Sequence, residues 1–118
     1  MPLELRSRIT LLLPAPMTLP QHFLVEGILT SLIDVCGGIT VSSDLPPAFR
    51  GSWIKRDGRK VDDTNLLVLV DAPVSPDEPG LLSYLERLKL RSQQAFNQDL
   101  VWVTVHEVQR ITAYDPAP

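Results

Sequence analysis

One cysteine in 118 residues, Cys36, excludes an internal disulfide and any zinc site built from several thiolates. It fits a reducing, cytoplasmic setting. No apolar run reaches the length, about 20 residues, that a membrane-crossing helix needs. Arg6 and Arg8 ahead of Ile9–Leu13 faintly resemble a signal peptide, but that apolar stretch is short and is broken by Pro14 and Pro16, so it reads as a strand. Charge of one sign is scarce: eleven basic residues meet fourteen acidic ones, and a net of −3 speaks against a general nucleic-acid binder.

Motifs with chemistry are scarce too. Gly37-Gly38 precedes a strand instead of a helix, so it is no dinucleotide loop. Ser42-Ser43-Asp44 has neither a glycine elbow nor a paired histidine. Asp62 and Asp63 are neighbours in an extended run and point apart. Cys36 ends a helix, where the dipole disfavours a thiolate, so it reads as structural. His22 and Glu26, four apart on one helix face, give two metal ligands at most, and an ordinary surface pair is the simpler reading. No metal and no cofactor are expected, and no catalytic group.

Strong local signals for structure remain. Asp57-Gly58 between two strand-like runs favours a type I′ hairpin turn, pairing residues 51–56 against 59–63. Leu66–Val70 is a short apolar run suited to a central strand covered on both faces. Leu5–Leu13 alternates and predicts a strand. Thr18 is a plausible cap, and Phe23, Leu24, Val25, Ile28, Leu29, Leu32, Ile33 and Cys36 have helical spacing over 21–36. A glycine pair ends that helix, and a strand follows over 39–43. Leu81, Leu82, Leu85, Leu88, Ala95 and Phe96 mark a second helix, with Asp77 and Glu78 at its positive end. Residues 100–111 alternate as a last strand, and residues 113–118 read as a flexible tail. All eleven prolines fall in the gaps between these elements.

The order β-α-β-β-α-β predicts a single α+β domain over residues 1–118 with the ferredoxin-like fold. Its sheet has four antiparallel strands, with 5–13 and 66–70 in the middle and both helices on one face. Residues 44–64 become a loop and a protruding hairpin arm. The interior is expected to hold Ile9, Leu11, Val68 and Val103. The opposite face then carries Thr10, Leu12, Thr40, Ser42, Leu67, Leu69, Trp102, Thr104 and His106, too apolar to stand in water unaccompanied. Leu12, Leu67, Leu69, Trp102, Thr104 and His106 are the candidate oligomer interface, although the arm folding back is a simpler cover.

Between Arg50 and Lys60 lie five of the eleven basic residues, with Asp57 the only acid. Arg50, Trp53, Lys55, Arg56, Arg59 and Lys60 form a candidate surface for a protein partner or a small anionic ligand. A charged tip also serves simply to keep a hairpin unpaired.

Gly38-Ile-Thr-Val-Ser-Ser43, a long excursion, and then Trp102-Val-Thr-Val-His-Glu-Val-Gln-Arg-Ile111 resemble the layout of the nitrogen-regulatory PII and PII-like proteins. That resemblance implies trimers binding nucleotides at subunit clefts, with the long loop contacting a target. Asn97-Gln98-Asp99 stands where that family has a glycine-rich nucleotide segment, so only the architecture carries over. Gly51-Ser-Trp53 and Asp57-Gly58-Arg59 ahead of an apolar strand are also similar to small uncharacterised bacterial proteins of this topology.

Two functions fit. The first is a non-catalytic binding, regulatory or accessory module that assembles through its open sheet face and contacts a partner with the basic arm. The alternative is a small cofactor-free enzyme of the dimeric α+β-barrel kind, acting on an apolar substrate with His106 or His22 as proton carrier.

Overall fold

In a computed structural model the chain runs β1 (Leu3–Pro14), α1 (Leu19–Cys36), β2 (Thr40–Val41), β3 (Phe49–Ile54), β4 (Lys60–Ala72), α2 (Pro79–Phe96) and β5 (Trp102–Ile111). The structure describes residues 3–15, 17–42, 49–54, 56–97 and 101–116. Lys55 lies outside that set, as do the side chains of Arg50 and Trp53.

Period-2 alternation sets the middle of the sheet. β1 pairs antiparallel with β4, Leu11 opposite Val68, and with β5, Leu11 opposite Val103. The strand order β2-β4-β1-β5 puts β1 and β4 inside, as expected for the ferredoxin-like fold. Odd residues of β1 face the helices: Ile9, Leu11 and Leu13 are wholly buried, as is Val68 across the ladder. Val103 packs against this core. Apolar burial of this kind stabilises by about 25 cal/mol per Å² removed from water.

The helices keep the expected places but bury narrower stripes. Thr18 caps α1 reciprocally: its hydroxyl accepts from the Gln21 N–H (3.3 Å), and the Gln21 side chain accepts from the Thr18 N–H (2.9 Å). Gly37 at φ 94° closes the helix, its N–H donating to the Ile33 carbonyl (2.8 Å). Val25, Ile28, Leu32 and Cys36 are buried, whereas Phe23, Leu24 and Ile33 stand exposed. α1 is apolar on more than one side, and only one side meets the sheet. α2 buries Leu81, Leu85, Leu88, Ser92 and Phe96, leaving Leu82 outside. Buried Ser92 is satisfied by donating to the Leu88 carbonyl (2.9 Å), and the Ser31 and Tyr84 hydroxyls meet at 3.0 Å between the helices.

The hairpin departs from expectation. Residues 60–63 and 66–70 belong to one 13-residue strand, β4, rather than to an arm and a separate core strand. Thr64 bridges the two halves: the Ala15 N–H donates to the Thr64 carbonyl (3.0 Å), and the Thr64 hydroxyl donates to the Ala15 carbonyl. β3 pairs with the outer half of β4, Trp53 opposite Val61 and Ile54 opposite Lys60. This register is one residue off the type I′ arrangement. That turn needs positive φ at both central residues, and here Gly58 has it (φ 85°) but Asp57 does not. Asp57 instead accepts from the Arg59 N–H (3.0 Å) and Nε (2.8 Å), which suits a longer loop. β2 is also shorter than expected. After Val41 the Ser42 hydroxyl accepts from the Leu67 N–H (2.9 Å), a side chain taking the ladder's role.

Candidate functional site

Pairing register turns the open sheet face into three cross-strand rungs. Leu12 lies between Leu67 and Trp102, Thr10 between Leu69 and Thr104, and Arg8 between Asp71 and His106. The first is apolar, with Trp102 56% exposed and Leu12 and Leu67 half-buried. Leu69 and Thr104 are half-buried and His106 is exposed. The six expected interface residues therefore share one surface, running from a greasy end to a charged end. β5 is paired along one side only, so its ten residues border this face as an edge with no described neighbour.

The charged end was not foreseen. Arg8 grips Asp71 with two parallel hydrogen bonds, Nε to Oδ1 at 2.8 Å and Nη2 to Oδ2 at 3.0 Å. The Arg8 hydrogen bond holds the Asp71 carboxyl below the usual carboxylate range against the opposing effect of partial burial. The charges of Arg8, Arg6 and His106 act in the same downward direction. Arg6 donates to the Asp71 carbonyl (2.9 Å) and pairs with Glu4, which Arg110 also reaches at 3.4 Å. The alternation of β1 already put Arg6 and Arg8 on Leu12's face. Aligning Leu11 with Val68 would have placed Asp71 beside Arg8.

The basic arm is only partly bare. Arg56, Arg59 and Lys60 are exposed, and Arg59 is paired with Asp57 at 2.8 Å. Arg50, Lys55 and Trp53 of the expected surface fall outside the described side chains. The two histidines are not brought together: His22 sits in the first turn of α1, on the helix side of the sheet, while His106 is on the open face. Cys36 is buried, and burial pushes its thiol pKa up, with the Arg6 charge opposing. Among the described residues no three His, Cys, Asp or Glu side chains gather around a metal position, and no helix is long and apolar enough to cross a membrane.

No protein-family model matches the chain, and no curated protein matches its sequence. Solved structures share its fold, among them the following two. CutA1 from Oryza sativa is 11% identical, covering 92% of this chain and 84% of its own, with a TM-score of 0.56. A phage SAM lyase in complex with S-methyl-5′-thioadenosine is 13% identical, covering 95% and 92%, with a TM-score of 0.57. At such identities the likeness defines architecture alone. The chain has the ferredoxin-like α+β fold.

Proposed function

We propose that this chain is a non-catalytic binding module, a regulatory or accessory subunit, that assembles through its open sheet face. The single observation that carries this reading is the apolar Leu67–Leu12–Trp102 rung, with Trp102 exposed beside the long edge of β5. A second copy of the chain is the occupant that fits. The charged end of the face holds both signs, Arg8 and Arg6 with Asp71 and Glu4, so a copy stacked with greasy end on greasy end brings charged end to charged end, where each sign can meet its opposite. The arm, reaching past the sheet on the outer half of β4, then offers Arg56, Arg59 and Lys60 to an acidic partner or small anion.

Sedimentation velocity at micromolar concentration tests the assembly. The wild-type chain should sediment as an oligomer, and Trp102→Asp as a folded monomer with an unchanged far-UV spectrum. A monomeric wild type defeats the reading. Reversing charge at Arg56, Arg59 and Lys60 should weaken capture of an acidic partner while leaving the sedimentation coefficient alone.

A further inference from the structure

On the helix side of the sheet, away from the face just described, a cleft of about 360 Å³ opens between the last turn of α1, the β4–α2 connection and the start of α2. Val35, Cys36, Ala72, Val74 and Leu81 make its walls apolar. Two charged residues of opposite sign also line it, Glu78 and Arg87. Both are exposed, which puts them at the rim, and neither has a side-chain hydrogen bond or ion pair with a described residue.

Different features bring the two charges to this cleft. Gly80, Tyr84 and Arg87 are spaced four and three apart and share a stripe of α2. Glu78 and Arg87 are nine residues apart, roughly 13 Å along the axis at 1.5 Å per residue. Helical side chains lean toward the N-terminus, so Arg87 leans back along its stripe, while Glu78, the extended N-cap residue, carries its carboxylate beside Gly80 on the same stripe. Gly80 leaves the slot open between them: a Cβ there would meet only Glu78 Oε1, at 3.9 Å.

We infer that this cleft binds a free apolar amino acid. The apolar side chain lies against Val35, Val74 and Leu81, the carboxylate takes the Arg87 guanidinium, and the ammonium takes the Glu78 carboxylate. A body with one charge alone leaves the other rim charge unanswered, whereas a zwitterion answers both. The volume stands near the lower end of the range for ligand pockets, roughly 300–1,000 Å³. It has room for one amino acid.

The test is a ¹H–¹⁵N titration of the full chain with L-leucine and with L-phenylalanine. Saturable shifts of the Val35, Val74 and Leu81 amides are expected. Hexanoate, which lacks the ammonium, and isoamylamine, which lacks the carboxylate, should each bind about tenfold more weakly or worse. Arg87→Ala and Glu78→Gln should each weaken L-leucine binding by a similar factor. Gly80→Leu fills the slot at a helical position with open space around it, so it should fold and abolish the shifts. Absence of saturable shifts at millimolar L-leucine overturns the inference. So does hexanoate binding as well as L-leucine, or binding that survives Gly80→Leu. The readout is the same whether the chain is one copy or several, so it stands apart from the assembly experiment.

Discussion

Asp71 ends the apolar run of β4, where a carboxylate beside Leu69 and Val70 has little to gain unless a cation meets it. Arg8, opposite it on β1, supplies that cation in a two-point grip. Both side chains keep about a third or more of their surface in water, so solvent screens the pair. A double-mutant cycle with Arg8→Leu and Asp71→Asn should give a coupling of about 0.5–1 kcal/mol, read from urea midpoints. The folded-state pKa of Asp71 is depressed, so its contribution is present above the unfolded carboxylate value, about 3.9, and is lost as pH falls through the lower folded value. The wild-type urea midpoint should therefore drop further between neutral and acid pH than that of Asp71→Asn. Equal drops would mean that the pair carries no linkage.

Helix α1 begins and ends on local chemistry that the sequence declares: a threonine with glutamine three residues on, and a glycine pair. Thr18→Ala removes one half of a reciprocal cap and should cost about 1 kcal/mol. Gly37→Ala forces a Cβ into the left-handed region at φ 94° and should cost about 1–2 kcal/mol, with Gly37→Asn milder. Thermal denaturation of the three variants checks that order. Signals of this range, within four residues, are why helices, caps and central strands were legible beforehand. What was not legible needed information from farther away. The Asp57-Gly58 pair reads alike in a two-residue turn and in a longer one, and only the β3–β4 register separates them. The periodicity of α1 names its apolar residues without saying which side the sheet takes, so Phe23 and Leu24 looked as internal as Val25. At the candidate site, alternation revealed Leu12 and Trp102. The Arg8–Asp71 pair depends on how two strands 63 residues apart are aligned.

At the scale of the whole molecule, one strand ties two regions with different duties. The inner half of β4 fills the centre of the sheet, with Val68 and Val70 buried, and the outer half carries the arm. Because side chains alternate strictly, sliding this strand by one position exchanges Leu67 and Leu69 with Val68 and Val70 between the two faces. An inserted residue at Asn65 should therefore unfold the protein or lower its melting temperature severely. The same insertion beside Gly58, where the loop already departs from tight geometry, should leave the melting curve nearly unchanged. Variation in length among descendants of this chain is thereby channelled to the arm's far end, which can grow or shrink to suit a new target while the sheet beneath it cannot drift.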